Sequence, residues 1–349
     1  MKSFLMTVAF AAACLLGVGI GRFSYSEELP EPKLSAQIPT QATVSSAKAS
    51  DEEPPFMAEA ILPSLVHVSI AHEDILSGGC GMILSEDGFI LTSLHLLEEE
   101  KPIHVTLSDK TQHSAHLMWK EEALDLAILK IRKSNLAAIS LSETGVLPIG
   151  ASVFAVGMDA VFSPTVTCGI LSGKNLALPE ENTDGKSLYT DGYLKTDAAF
   201  NGNACDFLLD AKGHLIGIRA EPLTNNQSPP LAIPVDIFLP VVSAFLQNGT
   251  FHCMDFGFSC QKQMPQNAEK TAGLCITAIK TNSPADRAEL KQGDILLSID
   301  EIVPQTTLAL HRLIFSTPSG SILSVNYQRN GITYRTELIL SEEDKREEM

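Results

Sequence analysis

The stretch TDAAFNGNACDFLLDAKGHLIGI, residues 196–218, sets a loop of small and polar residues ahead of a turn and the apolar run Leu215-Ile216-Gly217-Ile218. Short apolar runs recur upstream of it: ILPSLVHVSI, GMILSEDGFILTSL, IHVTLS, LDLAILKI, SVFAVGM and TVTCGILSG, punctuated by Gly, Asp and Asn. Their length and β-branched content predict an antiparallel β domain of the barrel or sandwich type. After Leu246-Gln247-Asn248-Gly249 the pattern changes. A second unit follows, with strands expected near residues 274–280, 295–299 and 322–329 and helices near 284–290 and 307–315. The turns KQGD before Ile295 and RNG before Ile332 punctuate it. No internal repeat is visible.

A chain of 349 residues suits two domains plus tails, and two cores are expected. With 44% apolar and 19% charged residues, most of it should fold. The net charge of -17 is spread over short acidic runs such as Asp51-Glu52-Glu53 and Glu98-Glu99-Glu100, which reads as a solvated acidic surface. Nucleic acid is excluded as a ligand, because binding its phosphates needs clustered Lys and Arg that no segment supplies.

The N-terminus, MKSFLMTVAFAAACLLGVGIGRFS, has Lys2 ahead of an apolar run that carries no charge until Arg22. That is an export signal over residues 1–21, either cleaved near Gly19 and Gly21 or retained as a membrane anchor. Residues 22–55 are rich in Ser, Ala, Glu, Gln and Pro and read as a flexible linker. Six of the seven cysteines lie beyond the signal and would meet an oxidising compartment. Their pairing is open; Cys253 and Cys260 could close a small loop or stand as buried small hydrophobes.

Acyl transfer needs a nucleophile, an imidazole to take its proton, a carboxylate to fix the imidazole's tautomer, and backbone N–H groups facing the developing oxyanion. His95 stands at a strand end in DGFILTSLHLL, and Asp125 opens the strand of LDLAILKI. Taken singly, each also suits an ordinary structural role.

Five blocks in order, GCGMILSEDGFILTSLH, LDLAILKI, LPIGASVFAVGMDAVFSPTVTCGILSG, TDAAFNGNACDFLLDAKGHLIGI and LAIPVD, resemble the HtrA family of envelope serine proteases. The second unit, with GLCITAIKTNSPADRAELKQGDILLSIDEIV, resembles one PDZ domain. The resemblance implies a mainly β chain: a chymotrypsin-like double β-barrel over residues 56–248, then a PDZ domain over 254–343, a small β-sandwich with two helices. Residue by residue it makes His95 the general base and Asp125 its orienting carboxylate. Counting back from Leu215 without a gap places Ala204 at the nucleophile, Gly202 and Asn203 before it in the oxyanion loop, and Cys205-Asp206-Phe207 where the family has Gly-Gly-Pro. Shifting the gap instead puts Cys205 on the nucleophile position, with Asn203 rather than Gly two residues before it. Phe256-Gly257-Phe258 falls where the family's loop holds a ligand's C-terminal carboxylate.

Losing a triad nucleophile lowers the rate by on the order of a millionfold. The expectation is therefore an exported HtrA-like pseudoprotease that binds exposed C-termini or unfolded polypeptides as a chaperone, scaffold or regulatory partner. The alternative is an active endopeptidase using Cys205. The resemblance also implies a periplasmic location, soluble or anchored by the N-terminal segment, and a homo-oligomer, a trimer built through residues 56–65. No cofactor is implied, and no CxxC or HExxH spacing suggests a metal.

Overall fold

The computed structural model describes residues 59–70, 77–97, 101–158, 163–180, 188–200, 205–220, 230–263 and 273–341. The expected signal, the linker, and Gly202, Asn203 and Ala204 lie outside the described residues.

Six strands come first: β1 (Leu65–Ile70), β2 (Ser77–Ile83), β3 (Phe89–Ser93), β4 (Ile103–Thr106), β5 (Gln112–Glu121) and β6 (Leu126–Ile131). They close into a barrel in the order β1-β2-β3-β6-β5-β4. Because successive side chains along a strand point to opposite faces, each strand contributes to two cores. Val66, Val68, Ile90, Leu129 and Ile131 form one buried cluster, while Leu65, Leu91, Leu126 and Ile128 belong to another.

The next strands are β7 (Ser152–Met158), β8 (Pro164–Glu180), β9 (Leu188–Thr196), β10 (Asp206–Asp210), β11 (Leu215–Arg219) and β12 (Leu231–Pro234). They run in the order β12-β11-β10-β7-β8-β9, and β12 pairs back with β9 to close a second barrel. Val153, Leu171, Leu194, Leu208 and Ile216 form its own cluster. Helix α1 (Val235–Asn248) follows and ends on Gly249 at φ 74, the left-handed cap that glycine adopts without steric cost.

The C-terminal unit holds β13 (Phe258–Gln263), β14 (Gly273–Ile279), α2 (Pro284–Arg287), β15 (Ile295–Ile299), α3 (Thr307–Ser316), β16 (Ile322–Arg329) and β17 (Ile332–Ile339). Its strands continue the second barrel's sheet as β9-β13-β14-β15-β16-β17. The largest buried cluster runs without a break from Leu65 and Trp119 through Phe245 and Phe251 to Phe315 and Leu338. Trp119 of β5 stacks edge-on against Phe251 at 6.2 Å and against Phe315 of α3 at 5.7 Å. Aromatic rings thus fasten the C-terminal unit to the first barrel, and β9 fastens it to the second.

Candidate active site and peptide groove

His95 sits on the single turn Leu94–Leu96 that follows β3, and Asp125 sits between the turn Glu122–Leu124 and β6. Ser93 and Leu126 are register partners, so the residues just beyond these strand ends meet. Asp125 has φ 54, a left-handed conformation that Asp tolerates better than most side chains. That backbone turn aims both its carbonyl and its carboxylate at the histidine segment. The Leu94 N–H donates to the Asp125 carbonyl at 3.0 Å. The His95 N–H donates to Asp125 Oδ1 at 2.7 Å, and the ring Nδ1 lies 2.5 Å from Oδ2. A carboxylate at Nδ1 selects the tautomer with the proton there, so a base role would fall to Nε2.

The run-in to the loop is pinned to β8. Thr196 Oγ1 donates to the Ile170 carbonyl at 2.9 Å and accepts from the Ala198 N–H at 3.0 Å. The Ile170 N–H donates to Asp197 Oδ1 at 2.6 Å, and Thr167 Oγ1 donates to the Ala199 carbonyl at 2.6 Å. Beyond the loop, Cys205 is 1% exposed and packs in the cluster between the barrels. The thiol of Cys80 on β2 donates to the Cys205 carbonyl. Burial pushes the Cys80 thiol well above its ordinary pKa, and the neighbouring Cys205 thiol and Asp206 carboxylate add to the effect.

Asp206 opens β10 as a buried carboxylate opposite Gly157 of β7. Any side chain at Gly157 would collide with it. Arg219 Nη1 approaches Asp206 Oδ2 at 3.5 Å, a partial charge partner for a group that water does not reach. Two residues past the expected nucleophile position, β10 therefore opens on a charged pair packed into strands.

In the C-terminal unit, the structure brings Phe256, Gly257 and Phe258 to the start of β13, with the two rings 6.1 Å apart. Gly257 has φ 78, and a Cβ there would collide with Ser283, so glycine is required. Its carbonyl accepts from the Lys280 N–H at 2.8 Å. Its N–H donates to Asp255 Oδ1 at 2.8 Å, while Asp255 Oδ2 pairs with Lys280 Nζ at 2.8 Å. The chain's own carboxylate thus occupies one amide of the loop expected to hold a ligand's carboxylate. Sequence reasoning passed over Asp255; an Asp two residues before a loop glycine, able to fold back on its own backbone, was the available signal.

Among the described residues no group of three or more His, Cys, Asp or Glu could hold a metal ion. All six cysteines from Cys80 onward are thiols, Cys253 and Cys260 included.

Two closed barrels, a His–Asp pair at adjacent strand ends and a glycine loop feeding a sheet edge define a trypsin-like peptidase fold joined to a PDZ domain. Family patterns agree, with a trypsin-like peptidase domain matching residues 79–218 and a PDZ domain matching residues 215–340. A probable periplasmic serine endoprotease DegP-like from Hahella chejuensis is 31% identical over 268 residues, covering 74% of this chain and 56% of that protein. The serine endoprotease DegS of Haemophilus influenzae is 29% identical over 270 residues, covering 76% of this chain and 77% of that protein. Among solved structures, the HtrA-type protease AlgW with a decapeptide superposes with a TM-score of 0.62 at 26% identity, over 84% of this chain and 99% of that one. The same protease with a tripeptide gives 0.61 at 28% identity, over 82% of this chain and 95% of that one. The chain belongs to the HtrA family, as a homologue of DegP and DegS. It spans about half the length of the DegP-like relatives it matches.

Proposed function

We propose that this protein is an exported HtrA-type pseudoprotease that no longer hydrolyses peptide bonds and binds exposed C-termini or unfolded segments of envelope proteins through its PDZ domain. One observation carries the reading. From Asp197 to Ile218 the sequence holds no hydroxyl side chain, and its single thiol, Cys205, is 1% exposed. A nucleophile must reach a substrate carbonyl, and a thiol packed between two barrels does not. The buried Asp206–Arg219 pair supports the same reading, since it puts a buried carboxylate at a sequence position where the family's loop carries glycine. The names of the DegP-like relatives support a periplasmic location, and the apolar N-terminus supports export. Among the described residues no helix is long and apolar enough to cross a membrane, so anchoring would fall to residues 1–21. Trimer assembly through residues 56–65 belongs to the same proposal and is checked by light scattering.

The test is digestion of an unfolded protein by the purified chain from residue 23 onward, beside Cys205→Ala and His95→Ala, under reducing conditions. No cleavage over hours at micromolar protein is expected from any of them. Cleavage by the parent chain that disappears in Cys205→Ala would overturn the pseudoprotease reading and establish a cysteine peptidase.

A further inference from the structure

A PDZ-type unit takes its ligand as an added strand on an open sheet edge, with the ligand's terminal carboxylate held by backbone amides. Here that edge belongs to β13, on the side away from β14, and it begins at the loop of Phe256, Gly257 and Phe258. Its far end is already taken. Strand β9 of the second barrel pairs antiparallel with β13, Tyr189 opposite Lys262 and Leu188 opposite Gln263. A ligand with its carboxylate at the loop would also run antiparallel to β13. Strand β9 therefore occupies, in the same direction, the place of the ligand's upstream residues.

A buried clamp holds β9 there. Asp191 of β9 is 1% exposed, and its Oδ2 lies 2.6 Å from Lys262 Nζ on β13. Its Oδ1 accepts from the Thr307 N–H at 2.8 Å, and its own N–H donates to Thr307 Oγ1 at 2.7 Å, at the start of α3. Lys262 Nζ also donates to the Gln305 carbonyl at 3.0 Å. The next residue, Gly192 with φ 114, lies so close to Thr306 and Leu308 that a Cβ has no room. Strand β9 is thus seated against both β13 and α3, the two elements that flank the ligand edge, while β8 and β12 hold it in the barrel.

We infer that β9 is a built-in stop in the peptide groove: a C-terminal segment pairs along residues 258–260, and everything upstream of it is turned out of the groove. The partner chemistry that fits is a free C-terminal carboxylate with about three residues of extended backbone ahead of it, each added main-chain hydrogen bond strengthening binding roughly fivefold. Ligand sequence beyond those residues would then carry no affinity. This inference rests on the peptide-binding reading of the PDZ unit.

The experiment uses the chain from residue 23 onward and N-terminally labelled tetrapeptides selected on it from a randomised pool with free C-terminal carboxylates. The same peptides, extended at the N-terminus by six Ser and Thr residues, form the second set. By fluorescence anisotropy, the ten-residue peptides should bind the wild-type chain within about twofold of the tetrapeptides. In Lys262→Ala, which releases β9 from β13, the long peptides should gain about fivefold or more over the short ones, one or more hydrogen bonds' worth. Long peptides binding the wild-type chain about tenfold more tightly would overturn the stop and leave the PDZ reading standing. Equal affinities in both proteins would overturn the clamp, since length would then be irrelevant without β9. No binding of any peptide to either protein would sink the groove reading itself, and the stop with it.

Discussion

His67 offers a quantitative test of the first barrel's packing. It lies on β1 opposite Cys80 of β2 and Thr106 of β4, and it is 8% exposed. Its ring fits because Gly78 on β2 has no side chain; a Cβ there would press on Nε2. Burial penalises the charged form and lowers the pKa from 6.5 to about 4. The unfolded chain therefore takes up a proton near pH 6.5 that the folded chain refuses until about pH 4. This contribution to stability is complete above the unfolded value and is lost as pH falls through the folded one. At about 1.4 kcal/mol per pH unit, the gap sets a total of about 3 kcal/mol, of which about 2 kcal/mol is lost between about pH 7.5 and about pH 5. The assay is urea unfolding at both pH values, followed by the fluorescence of Trp119, the chain's single tryptophan. His67→Gln, which cannot titrate, should lose about 2 kcal/mol less than the parent over that interval, other acidic titrations being common to both. Parallel losses in the two proteins would refute the argument that this histidine is buried in its neutral form.

Phe315→Ala removes a ring that is 4% exposed and touches Trp119 and Phe251, so chemical denaturation should show a loss of about 3–5 kcal/mol and proteolysis should cut more readily between α1 and β13. Asp255→Asn keeps the turn onto Gly257 but removes the charge that competes with a ligand's carboxylate; calorimetry should show C-terminal peptides binding about two- to fivefold more tightly. Unchanged affinity would mean that the Asp255 charge does not oppose a ligand's carboxylate at this loop. Ala204→Ser should yield little proteolysis of an unfolded substrate, because Cys205-Asp206-Phe207 remains packed as strand and core. Strong rescue by that single change would show the loop argument to be wrong.

What the sequence made legible was local. The runs LDLAILKI and SVFAVGM announce β6 and β7 through their own apolar and β-branched content, and the turns KQGD and RNG bracket β15 and β17 as expected. The helices near 284–290 and 307–315 appear as α2 and α3, each with a hydroxyl cap, Ser283 and Thr306, at its start. What stayed hidden depends on residues far apart in the chain. Nothing around Asp191 in LYTDGYLKT distinguishes it from a turn aspartate, because its partners Lys262 and Thr307 lie 71 and 116 positions away. The double use of β9, in a barrel and on a PDZ edge, likewise has no signature in its own residues. The burial of Asp206 also depends on Gly157, which leaves it space, and on Arg219, which partners it.

The His95–Asp125 pair then asks what holds it in place apart from catalysis. The geometry supplies a reason that needs no catalysis. Asp125 binds the histidine segment three times, and two of those bonds go to backbone: the Leu94 N–H to its carbonyl and the His95 N–H to its carboxylate. These bonds tie the end of β3 to the start of β6, adjacent strands of a closed barrel, and a hydrogen bond to a charged acceptor contributes roughly 1.5–3 kcal/mol. Removing the Asp125 side chain would leave the His95 N–H and ring Nδ1 without their acceptor, while the Leu94 N–H would keep the main-chain carbonyl. The barrel thus holds the base and its carboxylate for reasons of folding, so an intact His–Asp pair in this fold is weak evidence for proteolysis. Asp125→Ala should accordingly lower the unfolding free energy by about 2 kcal/mol or more. A thermal shift of zero on that substitution would remove the structural explanation and return the pair to a catalytic one.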